Sequence, residues 1–495
     1  MPVSAILIAV AERSSSIPAR LDRLPWSRWH WRVVLALGVA WVLDGLEVTI
    51  VGSFGSVLER PDTLGLSASQ VGWAGSVYVG GAVIGALLFG RLADTLGRKR
   101  LFLITLAIYM GATVATAFTT SFVGFALCRF VTGLGIGGEY AAINSAIDEL
   151  IPARVRGRVN LAINGSFWIG AALGALLSVL LLDPRVLGPQ SGWRAGFLLG
   201  AVLAVAILLV RRHLPESPRW LLAHGRADEA ERVVAEIEAS VYATSPPAAS
   251  TTAARDPPAA ARRRRSATPT LREVAHVLLR RYPRRSAYVF ALMLAQAFFY
   301  NAIFFTYALV LTRFYEVNET DVGLYILPFA VGNVLGPLIL GALFDRAGRR
   351  VMITATYALS GLALALTGIG FVLGVFDALT QTLAWSAVFF LASAAASSAY
   401  LTVSEVFPLE MRALAISIFY AVGTGAGGFV APALFGALIQ TGSRSHVFAG
   451  YAVGAALMLI AAAVAWRLAV DAERKPLEEV APPLRLDDAG GGSSH

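Results

Sequence analysis

Apolar residues recur along this chain in about a dozen stretches of about 20 residues, each closed off by a short polar or basic connection. A helix of that length, rising 1.5 Å per residue, crosses a hydrocarbon core of about 30 Å. The pattern predicts spanning helices over 31–57, 70–92, 101–120, 122–147, 158–182, 193–213, 286–312, 320–343, 350–374, 380–403, 412–440 and 444–467. The one long polar interruption, 214–285, divides them six and six. The organisation that follows is a tail over 1–30, a six-helix half over 31–213, a linker over 214–285, a second six-helix half over 286–467 and a tail over 468–495. Within the linker, Val233, Val234 and Ile237 recur at helical spacing between charged faces, which predicts a surface helix over 226–240. The stretch 241–270, rich in Ala, Pro, Ser and Thr, is expected to be disordered, and 271–281 reads as a second short amphipathic segment.

Composition agrees with the periodicity: 56% of the 495 residues are hydrophobic and 15% charged, which excludes a soluble globular protein. The net charge of +9 would suit a nucleic-acid partner, but the basic residues sort by loop parity, which a nucleic-acid patch has no reason to do. Arg98 to Arg100, Arg154, Arg156, Arg158, the linker, Arg346, Arg349, Arg350 and Arg412 fall in alternate connections. By the positive-inside rule both termini and the linker are expected to be cytoplasmic. The Arg262 to Arg265 run reads as a solvated linker near anionic lipid. The single cysteine, Cys128, excludes an internal disulfide, and the apolar start MPVSAILIAV lacks the basic region of a cleaved signal.

The chain also repeats itself. Gly90-Arg-Leu-Ala-Asp94-Thr-Leu-Gly97-Arg98-Lys99-Arg100 returns 251 positions later as Gly341-Ala-Leu-Phe-Asp345-Arg-Ala-Gly348-Arg349-Arg350. Glu149-x-x-Pro152-x-x-x-Arg156 returns 256 positions later as Glu405-x-x-Pro408-x-x-x-Arg412. Two motif pairs at nearly one offset indicate a doubled half-molecule, and internal symmetry of this kind in a membrane protein marks a transporter whose halves rock about a central site.

These motifs, with Arg129-Phe-Val-Thr-Gly133-Leu-Gly135-Ile-Gly137-Gly138-Glu139 and Pro215-Glu216-Ser217-Pro218-Arg219-Trp220-Leu221-Leu222, carry a resemblance to the major facilitator superfamily from about Trp31 to Trp466. Within it the chain is similar to the sugar-porter and metabolite:proton symporter branch, with an aromatic-acid symporter character. Asp44-Gly45-Leu46-Glu47 looks like the Asp-Gly-x-Asp signature of aromatic-acid symporters with Glu in place of the second Asp. Gln296 and Asn301 keep sugar-porter spacing and Asn333 stands where those proteins carry Asn. Asn164, Tyr400 and the absent Pro-rich stretch before it depart from the sugar pattern and favour a small organic acid over a hexose. The resemblance implies an all-α integral membrane protein of twelve transmembrane helices in two pseudo-symmetric six-helix bundles.

Charges inside a bilayer cost at least about 2.5–3.5 kcal/mol each, so those in spanning helices ask for a reason. Asp44 and Glu47, three apart, share a face of the first helix, and Arg129 lies at compatible depth on the fourth. With the first helix ending at 57, Glu47 is expected about 16 Å below that end and Arg129 about 10 Å below the corresponding end of its own helix. One reading is a carboxylate that titrates while Arg129 neutralises its charged form, with Glu47 ahead of Asp44 as the proton site and Glu139 contributing to coupling. The other is a fixed ion pair pinning two helices. Burial opposes the charged carboxylate and the Arg favours it, so a changed distance between them changes proton affinity.

Asn164, Trp168, Gln296, Tyr300, Asn301, Asn333 and Tyr400 form the candidate substrate set: amides that donate and accept, and rings that make flat apolar walls. Asp94, Gly97, Arg98, Glu149, Arg156, Asp345, Gly348, Arg349, Glu405 and Arg412 form the candidate cytoplasmic gate. The glycine run is expected to serve close helix packing, not phosphate binding. The sequence shows no metal-ligand cluster, no cofactor motif and no nucleophile–base arrangement, so an enzyme is not expected. The expected partners are a small-molecule substrate, protons and the lipid bilayer, with the protein a monomer of a cell membrane, a bacterial inner membrane because the Arg- and Ala-rich linker points to a GC-rich bacterial source. Sugar:proton symport, export and a non-transporting nutrient sensor are the alternatives.

Overall fold

The computed structural model describes residues 17, 20–211, 215–243, 271–408, 411–470 and 480–481. The first half consists of α1 (Arg28–Ser53), α2 (Ala68–Leu96), α3 (Arg98–Ala117), α4 (Phe122–Leu150), α5 (Ala153–Leu182) and α6 (Gly188–Arg211). The second consists of α7 (Pro283–Phe304), α8 (Val322–Arg346), α9 (Arg349–Leu373), α10 (Ala378–Val406), α11 (Arg412–Gly423, carried on as Val430–Gln440) and α12 (Arg444–Leu468). Eleven described helices are long and apolar enough to cross a membrane; α6 takes the remaining place in a twelve-helix bundle. Leu338, Leu366 and Leu373 stand on its outside, each more than two-thirds exposed (72%, 68% and 70%), as suits contact with lipid.

Glycines set the spacing within each half. A Cβ at Gly81, Gly85, Gly133 or Gly137 would overlap the backbone oxygens of Phe130, Leu134, Tyr78 or Ala82, so α2 and α4 touch backbone to backbone. Gly45 and Gly170 do the same for α1 and α5, against Phe167 O and Val42 O. The Gly133 to Gly138 run is two-sided, since Gly135 and Gly138 let α3 and the ring of Phe89 approach the other flank of α4.

Three expected spans differ in detail. α1 stops at Ser53, not 57; the chain turns at Phe54 and continues as a short 3₁₀ turn, Val57–Glu59. The 286–312 run is broken: α7 ends at Phe304 and resumes as Tyr307–Tyr315. Gly52 lies opposite the break, where a Cβ would be 2.6 Å from Phe304 O. The 412–440 run carries a π-turn, Thr424–Gly428, where three glycines weaken the regular ladder. Continuous apolarity reports burial in a membrane and is silent on such breaks.

The halves meet through α2 with the second part of α11 and through α5 with α8. Four polar contacts between them lie on the side away from the linker. There Arg60 reaches Glu319 at 3.3 Å, Arg313 reaches Glu59 at 3.8 Å, and the Ser69 and Ala433 amides donate to Gln440 Oε1 and Ser76 Oγ. Gly72 and Gly436 touch at the same level. The far side of the bundle is therefore closed.

The predicted linker helix is present as Ala227–Tyr242. Its buried Ala230, Val234, Ile237 and Val241 pack with Ile17, Leu21 and Leu24, and Arg20 bonds Glu231 and Glu238 at 2.5 and 2.6 Å. The second linker segment is helical over Leu271–His276 and a π-turn over Val277–Arg281. The expected disordered stretch beyond Ala243, the first ten residues and most of the C-terminal tail lie outside the described residues.

Candidate functional site

The pair expected from the sequence forms at the centre of the first half. Arg129 Nη2 donates to Glu47 Oε1 at 2.5 Å, with Arg129 1% and Glu47 2% exposed. The shorter α1 corrects the expected depth: Glu47 lies six residues from Ser53, about 9 Å at a helical rise, which matches Arg129 seven residues into α4 better than 16 Å did. The guanidinium also lies over the rings of Tyr78 and Phe197, 5.2 and 5.3 Å from their centroids. Those rings supply cation–π attraction in place of water.

The pair is incompletely satisfied. Glu47 Oε2 and Arg129 Nε and Nη1 are buried with no hydrogen-bond partner among the described residues. An unmade hydrogen bond at a buried polar group costs about 1–3 kcal/mol. A structural staple gains its strength from saturating such atoms, so this pair is poorly built for that purpose and is open to rearrangement.

Asp44 is buried on the same face of α1, and its field reaches Tyr78, Tyr109 and, across the interface between the halves, Tyr420 on α11. Glu139 is also buried but lies ten residues beyond Arg129 on α4, about 15 Å along the helix, and is not brought into the pair.

The candidate substrate residues divide. Trp168 of α5 meets Tyr300 and Phe304 of α7, with ring centroids 6.2 and 5.8 Å apart, and Phe167 reaches Phe304 at 6.4 Å. Tyr300 is held by its hydroxyl, which donates to Asn333 Oδ1 at 2.6 Å, while Asn333 Nδ2 donates to Phe329 O. Asn333 is 1% exposed, so in this state it orients Tyr300. Asn301 Nδ2 donates to Ala297 O in its own helix, and Gln296 is buried with its amide toward Met293 Sδ. Asn164 and Tyr400 are half-buried. Phe167 and Phe304, which pattern reading missed, complete the inter-half aromatic wall; aromatic residues beside the predicted ones are the signal that would have found them.

Of the candidate gate residues, Arg349 and Glu405 form a forked pair at 3.0 to 3.3 Å. Gly97 and Gly348 cap α3 and α9 with φ of 86° and 93° and ψ of 155° and 154°. The repeated motif thus reappears as a repeated turn, in a left-handed region that favours glycine. The Lys99 amide donates to Glu216, which gives that signature residue the role of capping the start of α3. The side chains of Asp94, Arg98, Glu149, Arg156, Asp345 and Arg412 lie outside what is described.

The cross-half pairs Glu59–Arg313 and Arg60–Glu319 were not anticipated, because one member of each sits in a short loop that carries no repeat. Burial pushes the Glu59 carboxyl up, Arg313 pulls it down by less, and Glu319 adds to the rise. A proton therefore binds the closed far side more tightly than an open one in which Glu59 is hydrated. Closure gains as pH falls through the Glu59 range and loses that gain as pH rises. Spin labels at Arg185 and Thr441, in a Cys128→Ser background, should report a closed population that grows on acidification, and Glu59→Gln should flatten the response; an unchanged slope would discard Glu59 as the sensor.

A family model described as sugar (and other) transporter matches residues 47–482. The niacin transporter NiaP of Acinetobacter baylyi is 28% identical over 466 residues, covering 93% of this chain and 99% of that protein. The 4-hydroxybenzoate transporter PcaK of the same organism is 30% identical over 227 residues, 45% of this chain and 48% of that one. Among solved structures, a partially occluded inward-open xylose transporter, XylE from E. coli, superposes with a TM-score of 0.68 at 17% identity over 89% of this chain and 99% of its own.

Proposed function

The chain belongs to the sugar (and other) transporter family, and we propose that it is a proton-coupled symporter of a small aromatic or other planar organic acid, working by alternating access. The buried Glu47–Arg129 pair carries this reading. A carboxylate facing a single, incompletely bonded arginine can take a proton when the halves move and the arginine is drawn away. Asp44, buried on the same face of α1 and within the field of Tyr420 on α11, would relay the change to the second half.

The substrate reading rests on the wall made by Trp168, Tyr300, Phe304 and Phe167, which offers flat apolar faces to a ring. A hexose asks for many free amide and hydroxyl partners, and here Asn301, Asn333 and Gln296 are turned to other protein atoms. Niacin and 4-hydroxybenzoate, named in two relatives, are both ring acids, which supports the same choice. With the linker side assigned to the cytoplasm by its arginines, the closed far side makes this an inward-facing state, in a cell membrane taken to be a bacterial inner one.

The test is proton movement in proteoliposomes challenged in turn with nicotinate, benzoate-type acids, small carboxylates and hexoses. External alkalinisation on adding a ring acid is the expected result; a response to hexoses alone would replace the substrate class with sugars. Trp168→Ala should raise the KM for the ring acid about three- to tenfold, the scale of one aromatic contact, with little change in thermal stability. An unchanged KM would remove Trp168 from the site.

A further inference from the structure

We propose that Tyr109 on α3 is a positioning residue for proton uptake, its hydroxyl serving as the second donor that sets the proton affinity of Glu47. The proposal rests on reading Glu47 as the proton site and names a residue outside the helices that meet at the cavity. Tyr109 is fully buried and packs its ring with Leu43, one turn before Glu47 on α1, and with Ile136 on α4. Its hydroxyl interacts with the Glu47 carboxylate and lies in the field of Asp44. The geometry falls short of a formed hydrogen bond: Tyr109 Oη and Glu47 Oε2 are both buried without a hydrogen-bond partner among the described residues. Arg129 occupies Oε1. One oxygen of the carboxylate thus lacks a donor, and near the same carboxylate stands a hydroxyl with no hydrogen-bond partner among the described residues.

Gly135 explains why Tyr109 can stand there. A Cβ at that position would lie 2.9 Å from Tyr109 Cβ and from its backbone nitrogen, so the absent side chain seats this turn of α3 against α4. This gives one glycine of the Gly133 to Gly138 run a consequence for the chemistry beyond general packing.

When Arg129 withdraws, Tyr109 remains as a donor to the charged carboxylate, and a donor to the charged form holds protonation back. Deleting the hydroxyl should let Glu47 take its proton at higher pH. The experiment is an infrared titration of the purified full-length protein in lipid, following the protonated-carboxyl band that Glu47→Gln removes. In Tyr109→Phe that band should appear about one pH unit higher, a tenfold gain in proton affinity, the scale of one hydrogen bond to a charged group. The pH profile of uptake should move the same way with the substrate KM unchanged. Thr113→Val, which deletes another buried and unpartnered hydroxyl one turn along α3, should leave the band in place.

A Tyr109→Phe band at the wild-type pH would overturn the proposal and leave Glu47 as the proton site. A shift of equal size in Thr113→Val would also overturn it, as a general packing effect. If the wild type shows no titrating Glu47 band, the coupling reading falls and the proposal with it.

Discussion

Glu47→Gln is expected to abolish accumulation of substrate driven by a proton gradient while leaving exchange of substrate across the membrane intact. Gln keeps the shape of Glu and can still accept a bond from Arg129 Nη2, but it cannot take up or release a proton. The two halves can then rock only with substrate bound on both strokes, so net uphill uptake disappears and counterflow remains. Loss of accumulation should be at least about tenfold, because a group that cannot titrate contributes nothing to coupling. A fixed ion pair predicts otherwise. Removing one partner of a buried pair costs about 3–5 kcal/mol when the remaining charge is stranded, so a staple would show a large drop in thermal stability and loss of exchange together. Measuring accumulation, counterflow and melting temperature on one preparation separates the two. Asp44→Asn is the companion variant: if it abolishes accumulation and Glu47→Gln does not, the proton site moves one turn along the same face of α1.

Gly72→Trp is expected to eliminate transport in a protein that still folds and inserts. In the closed far side a single added Cβ at Gly72 would already overlap Pro432 O and come within 2.9 Å of Gly436 Cα. An indole there has nowhere to go while α2 and α11 remain in contact. Dense packing transmits this as a change of state, since the interface offers two arrangements and little in between. The halves should separate on the far side and close on the linker side. Spin labels at Arg185 and Thr441 should show the distance distribution moving to a single longer population, insensitive to substrate. Wild-type distances with normal turnover would mean that α2 and α11 do not form the far-side seal. Glycines inside one half should behave differently: a Cβ at Gly137 overlaps Ala82 O within the α2–α4 contact, where damage would appear as poor folding.

Much of the molecule could be read from residue order because membranes impose local rules. Apolar length sets the spans, basic loops sort by parity, and a doubled motif recurs as a doubled turn at Gly97 and Gly348. The cost of a charge in hydrocarbon singled out Glu47 and Arg129, with Asp44 and Glu139, from residue order alone, while the depth of Glu47 was counted from an end of α1 that the structure moves to Ser53. The aromatic wall was half legible: Trp168 and Tyr300 stood in the candidate set as rings among amides, and Phe167 and Phe304 carried no mark that set them apart from other apolar residues of their helices.

What sequence alone determined about this protein was thus the set of helices, their doubling and the identity of the central ion pair, because each follows from free energies that depend on a residue and its near neighbours. Only the tertiary structure decided the rest. The end of α1 at Ser53, the break after Phe304 and the π-turn at Thr424–Gly428 arise from what each helix meets, and an apolar run carries no trace of a neighbour. The far-side pairs Glu59–Arg313 and Arg60–Glu319 join residues more than 250 positions apart. Whether Asn333 faces substrate or orients Tyr300, and whether Tyr109 stands beside Glu47, depends on rotations and packing among three or more helices. Those are long-range contacts, whose energies belong to the assembled bundle and to no segment of it.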